Sequence, residues 1–255
     1  MSKWTVSLLA LTLSSGVMAF AAEGQVAQVP AAPVAPKVDG TEILHKAGQA
    51  LFPEDFTANV ELTSTRADGT AQVYKMMLYK KGKDKTRADF TYPALEEGRK
   101  MLRVGDQIWM YVADLKRPVK MSPKQSLMNS DFNNGDLMRL DFETDYVASI
   151  LSDDGTTVVL ELKARDKSIA YDRILYSVDK KTNRSLKQEF YTASGKLMKT
   201  LEFQEWKTYA GFERPSVFVM TNALASNQKS IIKYVAFEAG KTLPEAQFQP
   251  DAIAR

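Results

Sequence analysis

Side chains that commonly carry catalysis or bind metals are scarce in this chain. Cysteine is absent and His45 is the single histidine, which excludes disulfides, thiolate nucleophiles and cysteine- or histidine-rich metal sites. A serine triad would depend on His45, which follows Leu44 in a predicted helix and has no identifiable serine partner. We therefore expect His45 to be a surface or packing residue. We also expect a protein that is not an enzyme and needs no cofactor.

A run of oxygen-bearing side chains from Asp131 to Asp136 is the second place where chemistry could occur. Carboxylates and amides this close together are typical ligands of calcium. The spacing, however, does not match the D-x-[DN]-x-[DN]-G loop, and no glutamate occupies the closing position. These residues are therefore expected to form turns and helix caps, and no metal site is predicted.

The N-terminal residues indicate where the protein works. Lys3 precedes an uncharged, mostly apolar run from Trp4 to Phe20, and small residues follow at Ala21 and Ala22. This order is typical of a cleaved secretory signal peptide, and the run is shorter than the ~20 residues of a spanning helix. The alternative, an uncleaved amphipathic or buried helix, would lack a polar face. Residues 1–22 are therefore predicted to be a signal peptide, and the mature protein is expected to be periplasmic.

Residues 23–40 differ in composition from the rest of the chain. They are rich in alanine, valine and glutamine, and Pro30, Pro33 and Pro36 recur every third residue, which predicts an extended, solvated tether. Residues 41–255 contain no second break of this kind and are predicted to form one domain. The formal net charge of the chain is only +3, which argues against binding to nucleic acid. We expect a monomer.

One helix and a series of strands are predicted within this domain. Apolar residues recur with helical spacing from Ile43 to Leu51, before Pro53. Alternating segments then follow, joined by short turns such as Asp68-Gly69. Because short turns join antiparallel neighbours, the strands should form a large meander that twist curls into an unclosed β-barrel. The predicted strands are residues 56–66, 72–80, 86–92, 99–104, 107–113, 145–151, 157–164, 171–178, 184–191, 197–209, 214–222 and 229–238.

Strand alternation predicts which side chains face the interior of this barrel. Charged residues such as Lys75, Lys163 and Glu202 mark the outer face, and their immediate neighbours point inward. Both faces of strand 107–113 are apolar, so alternation does not decide which face lines the interior. The strand residues predicted to line an apolar cavity are Tyr74, Met76, Leu78, Met110, Leu160, Leu162, Leu201 and Phe203.

Two short helices are predicted between strands 107–113 and 145–151. Ser122 and Pro123 begin a capping-box pattern with Gln125 at the third helical position. A second helical turn is predicted from Gly135 to Leu140. These helices would bury their apolar residues across the open end of the barrel and would form a lid. The lid residues predicted to line the cavity are Leu127, Met128, Leu137 and Met138.

Two segments of the predicted domain carry a family resemblance. One is the strand GDQIWMY at residues 105–111, and the other is the helical insertion with Asn129-Ser130-Asp131-Phe132 and Gly135-Asp136-Leu137. Together with the signal peptide and meander, they resemble the outer-membrane lipoprotein-sorting protein family, the LolA- and LolB-like periplasmic carriers. The resemblance implies an unclosed barrel with a helical lid over a cavity for the acyl chains of a lipid or lipoprotein. It also implies an inner-membrane transporter and an outer-membrane acceptor as partners.

Several alternatives remain open from the sequence. The cavity arginine of the carriers cannot be assigned, with Arg66 and Arg87 as candidates. The methionines of the predicted strands and lid are either a pliable cavity lining or filling for an irregular core. Besides a carrier, the fold suits an RseB-like module that senses lipids or binds proteins, although the second C-terminal domain of that relative has no counterpart after Phe248. A secreted hydrolase is the third hypothesis.

Overall fold

The computed structural model describes residues 40–112, 117–225 and 228–253. The predicted signal peptide and all but the last residue of the predicted tether lie outside the described residues. These described residues pack as one compact unit. Helix α1, Gly40–Leu51, buries Ile43, Leu44, Ala47 and Leu51 on one face, as its helical spacing predicts. No helix within the described residues combines the length and apolar composition that a membrane crossing requires.

Thirteen β-strands follow α1 in the described part of the chain. Strands β1 to β13 are Phe56–Thr65, Ala71–Lys81, Lys85–Tyr92, Lys100–Val104, Gln107–Val112, Arg117–Met121, Tyr146–Asp153, Thr157–Ala164, Arg173–Asp179, Ser185–Tyr191, Leu197–Tyr209, Phe212–Asn222 and Lys229–Ala239. Two short helices, α2 (Asn134–Met138) and α3 (Phe142–Asp145), lie between β6 and β7. Two 3₁₀ turns, Glu245–Phe248 and Pro250–Ala252, follow β13.

All thirteen strands belong to one antiparallel sheet with the order β6-β5-β4-β3-β2-β1-β13-β12-β11-β10-β9-β8-β7. The sheet thus consists of two meanders joined where the first strand pairs with the last. β6 and β7 are its two edges and do not pair with each other, so the barrel is unclosed, as predicted. Residues 122–145, called the lid from here on, connect one edge to the other.

The interior of the curled sheet holds one large apolar cluster. It includes residues of α1, the lid and the inward-facing positions of the strands. On β2, Tyr74, Met76 and Leu78 are buried while Lys75 is exposed, which confirms the orientation predicted from alternation. Buried apolar surface on both α1 and the lid therefore closes over the concave face of the sheet.

A smaller apolar cluster on the outer face of the sheet explains why both faces of strand β5 are apolar. Ile108 and Met110 are buried in the main interior cluster. Trp109 and Tyr111 instead pack against a cluster formed by the C-terminal segment. That cluster consists of Leu102, Leu243, Phe248 and Ile253. One face of β5 thus packs in the interior of the barrel, and the other packs against the smaller cluster on the outside.

Lys80 continues the inward-facing row of β2 at the end of that strand. Its side chain is buried, and its Nζ donates hydrogen bonds to the carbonyl oxygens of Pro53 (2.9 Å), Glu54 (3.2 Å) and Gly82 (2.7 Å). Burial lowers the pKa of Lys80 to about 8, because desolvation disfavours the ammonium form. The three carbonyls satisfy the ammonium and tie the α1–β1 connection to the sheet.

The first predicted lid helix is absent, and this prediction is wrong. Residues 122–133 form turns instead, with Met128 and Asn129 at φ values of 50° and 58°, which a right-handed helix cannot contain. The Ser130 hydroxyl donates to the carbonyl oxygen of Leu127 (2.7 Å) and stabilises the turn. The second predicted helix is present as α2, and α3 adds a helix that the sequence pattern did not predict.

Candidate functional site

A small cavity lies between the lid and the concave face of the sheet. Its volume is about 50 Å³, enough for a few water molecules but far below the ~300–1,000 Å³ of typical ligand pockets. The lid contributes Phe132, Gly135, Asp136, Arg139, Leu140, Phe142 and Asp145, and α1 contributes Leu51 and Phe52. The remaining lining residues are Tyr146, Ile169, Ala170, Tyr171, Ile174, Gln188, Phe190, Leu201, Phe203, Phe218, Ile232 and Tyr234. The structure therefore shows a closed interior with an apolar wall and a few polar groups.

The predicted cavity residues divide into two groups. Leu201 and Phe203 line the cavity. The others belong to the interior core around it but are not part of its wall, and Met128 is only half-buried at the margin of that core. This group consists of Tyr74, Met76, Leu78, Met110, Leu127, Met128, Leu137, Met138, Leu160 and Leu162. A binding role for any of these residues stays a prediction.

The described methionines also lie away from the cavity wall. Met76, Met101, Met138 and Met220 are buried in the core, whereas the wall consists mainly of aromatic and branched aliphatic side chains. These four methionines therefore fill the core, which is the simpler of the two interpretations from the sequence.

Hydrogen bonds to strand β13 hold the start of the lid. The backbone N–H of Asp131 donates to Ser230 Oγ (2.9 Å), and the Ser230 hydroxyl donates to Asp131 Oδ2 (2.8 Å). Asn222 Nδ2 on β12 donates to Asp131 Oδ1 (3.3 Å). Since Ser230 is fully buried, this contact is a point at which the lid is fastened to the sheet.

The N-terminus of α2 is held by a second polar cluster. Asp136 Oδ2 accepts hydrogen bonds from the backbone N–H of Asn133 (2.7 Å) and from the Tyr171 hydroxyl (2.8 Å). Lys199 Nζ on β11 donates to Asn133 Oδ1 (3.0 Å). Burial raises the pKa of Asp136 and lowers the pKa of Lys199, because desolvation disfavours both charged forms. Each group is nevertheless hydrogen-bonded, so the cluster fastens the lid to β11 and to residue 171.

A buried ion pair joins the two lid helices. Arg139, which follows α2, donates from Nε to Asp145 Oδ2 (2.7 Å), and a second hydrogen bond runs from Nη2 to Asp145 Oδ1. Both side chains are only 6% exposed. Arg139 Nη2 also donates to Asp106 (3.2 Å) in the β4–β5 turn, and hydrogen bonding to Asp145 raises the pKa of Arg139. The pair therefore connects the end of α2 to α3 and lines one side of the cavity.

The candidate catalytic and metal-binding residues have structural partners. His45 is half-exposed, and its Nδ1 lies 2.5 Å from Glu143 Oε1 on α3, so it contacts the lid from α1. Asp131 and Asp136 make the lid contacts described above. Within the described residues, no cluster of three His, Cys, Asp or Glu side chains is arranged to hold a metal ion.

Neither of the two arginines suggested by the sequence lies in the interior. Arg66 is exposed, and Arg87 pairs with Asp89 (2.7 Å) on the outer face. Arg214 on β12 is instead fully buried, with its guanidinium carbon 3.8 Å from the ring centroid of Tyr234. The other rings around it are those of Phe52, Phe218 and Phe237. Burial lowers the pKa of Arg214, and cation–π contacts partly compensate for its lost hydration.

Sequence reasoning missed Gln188 and Arg214 because both are polar. Their positions are nevertheless readable from alternation, since Gln188 shares its face of β10 with Phe190, and Arg214 shares its face of β12 with Phe218. Phe132 was part of the family pattern but was not assigned to the cavity, which it lines from the lid.

The fold is thus an open antiparallel barrel with a lid over an apolar interior. A LolA superfamily protein from Nitrosomonas europaea has 31% identity, with 84% of this chain and 99% of that chain covered and a TM-score of 0.77. The present chain belongs to the LolA superfamily, as its sequence resemblance predicts. A model for a family of uncharacterized proteins also matches residues 82–255. No curated protein matches the chain.

Two further solved structures share the fold. A putative outer membrane lipoprotein-sorting protein domain from Vibrio parahaemolyticus has 24% identity, with 85% of this chain and 98% of that chain covered and a TM-score of 0.73. A DUF1329 family protein from Desulfovibrio piger has 21% identity, with 84% and 97% covered and a TM-score of 0.74. These similarities extend over nearly the whole length of both relatives, so both share the fold described here.

Proposed function

We propose that the protein is a periplasmic carrier that binds the acyl chains of a lipid or lipoprotein in its interior and shuttles them between envelope membranes. The observation that carries this proposal is the apolar cavity beneath a lid that is fastened to the sheet by polar contacts. Membership of the LolA superfamily and similarity to a putative outer membrane lipoprotein-sorting domain support it. An inner-membrane transporter would supply the cargo, and an outer-membrane acceptor would receive it.

In such a carrier, a cavity of about 50 Å³ would correspond to the form with its lid closed. A cargo chain would have to displace the lid and the Phe132 side chain that the lid places in the interior. The lid contacts at Ser230 and Lys199 are hydrogen bonds, and water can replace these at a modest net cost of about 1 kcal/mol each. Burying about fifteen methylenes contributes roughly 12 kcal/mol at ~0.8 kcal/mol per CH₂. Cargo binding can therefore offset the loss of these hydrogen bonds.

A fluorescent fatty-acid probe tests this function on the purified protein. We expect saturable binding of the probe and its displacement by lipid extracted from bacterial envelopes. Leu201→Glu places a charge in the cavity wall and should abolish binding, because a carboxylate in an apolar site strongly disfavours an acyl neighbour. Leu186→Glu, on the exposed face of β10, is the matched control and should bind normally. Absence of probe binding by the unmodified protein would contradict the proposal.

A further inference from the structure

Gln188 is the polar residue in an otherwise apolar stretch of the cavity wall. It lies on β10 and is 1% exposed. Its register partners are Tyr176 on β9 and Leu201 on β11, and its side chain lines the cavity beside Leu201 and Phe203. A glutamine therefore occupies a position at which alternation and the neighbouring side chains would favour an apolar residue.

Neither Nε2 nor Oε1 of Gln188 has a hydrogen-bond partner among the described residues. The nearby Tyr176 hydroxyl is hydrogen-bonded to Ser185 Oγ. Burial raises the pKa of Tyr176, and the neighbouring Gln188 amide partly counteracts this rise. An unpartnered buried amide retains the full cost of its lost hydration. Such groups are rare in native proteins, and a functional role is one reason for keeping them.

The charged side chains of the wall already have hydrogen-bond or ion-pair partners. Asp136 accepts hydrogen bonds from Asn133 and Tyr171, and Arg139 pairs with Asp145. Among the described residues that line the cavity, Gln188 is thus the one with free side-chain donors and a free acceptor. A ligand group that meets both needs must itself donate and accept, and a hydroxyl or a neutral carboxyl does so.

Given the proposed acyl-carrier function, we propose that Gln188 is a specificity-determining residue that binds an O–H group of the cargo. The preferred cargo is then an acyl chain with a free hydroxyl or a protonated carboxyl group. A carboxyl group would bind in its neutral form, because the apolar wall beside Gln188 disfavours the carboxylate and Arg139, the cation in the lining, is paired with Asp145. In that form its O–H donates to Oε1 while its carbonyl oxygen accepts from Nε2.

Two pairs of ligands that differ only by methylation of the O–H group test this inference. They are 1-hexadecanol with 1-methoxyhexadecane, and palmitic acid with methyl palmitate, each used to displace a fluorescent acyl probe. The unmodified protein should bind at least one O–H ligand about 10-fold more tightly than its methylated partner, which corresponds to about 1.4 kcal/mol. The pair that shows the preference identifies the group as hydroxyl or carboxyl.

Gln188→Met is the decisive variant because methionine has similar length and no hydrogen-bonding amide. It should bind the methylated ligands as tightly as the unmodified protein does, lose the preference for O–H ligands, and unfold at no lower urea concentration. Leu186→Met, an apolar change on the exposed face of the same strand, should keep the preference. An equal preference before and after Gln188→Met, or no preference in the unmodified protein, would overturn the inference. Failure of every ligand to bind would instead contradict the carrier function itself.

Discussion

Replacing Phe132 with alanine should tighten acyl binding while it destabilises the protein. Phe132 is 1% exposed and fills the interior from the lid, so it occupies space that a cargo chain needs. Its removal should lower the free energy of unfolding by about 3–5 kcal/mol. Part of this loss destabilises the closed position of the lid relative to the open one. A larger fraction of the protein then has its lid open, and the apparent affinity for the probe rises in proportion. We expect the acyl probe to bind at least about 10-fold more tightly.

A matched control separates this effect from general destabilisation. Phe90 on β3 is 2% exposed and packs in the same core without lining the cavity. Phe90→Ala should lower the free energy of unfolding to a similar extent but leave the probe affinity unchanged. If Phe132→Ala weakened probe binding instead, Phe132 would be a contact for the cargo rather than a side chain that the cargo displaces.

Asp145→Ala should lower the free energy of unfolding by about 3–5 kcal/mol, because it leaves the Arg139 guanidinium buried without its carboxylate partner. Urea unfolding measures this change. The double variant Arg139→Met/Asp145→Leu should recover most of the loss, since it removes both charges and fills the space with apolar groups.

The solvent-exposed partner of Arg139 provides the comparison. Asp106 is 80% exposed, so Asp106→Ala should change stability by no more than about 1 kcal/mol. An Asp145→Ala protein that is as stable as Asp106→Ala would show that the buried pair does not hold α2 and α3 together.

The barrel could be predicted from the sequence because alternation of apolar and polar residues is a local signal. Tyr74, Met76 and Leu78 face inward, as the charged neighbour Lys75 indicates. Strand β6 was missed because Arg117, Pro118 and Lys120 interrupt any alternation. Edge strands need no apolar face and often carry such residues, which discourage pairing with other chains.

The lid and the cavity were harder to predict because they depend on contacts between distant residues. The capping pattern at Ser122 and Gln125 is a local preference, and the left-handed backbone at Met128 and Asn129 overrides it. Phe132 of the lid and Phe203 of β11 line the same cavity, and no local sequence pattern specifies that they do. Most of the inward-facing residues pack as core, so an inward position alone does not identify a binding residue.

In the proposed carrier, cargo enters only when the lid leaves the sheet. The two short contacts between Ser230 and Asp131 are compatible with the Cβ separation of roughly 3.5–4.5 Å that a disulfide needs. Because the chain contains no cysteine, Asp131→Cys/Ser230→Cys introduces one defined crosslink. The two single-cysteine variants are controls for loss of the native contact.

Acyl-probe binding to the double-cysteine protein, oxidised and then reduced, tests the claim most directly. Circular dichroism first establishes that both forms are folded. We predict no measurable probe binding in the oxidised form, and recovery after reduction to the level of the single-cysteine variants. An oxidised protein that binds the probe as fast and as tightly as the reduced protein would contradict the account, because cargo would then reach its site without movement of the lid at β13.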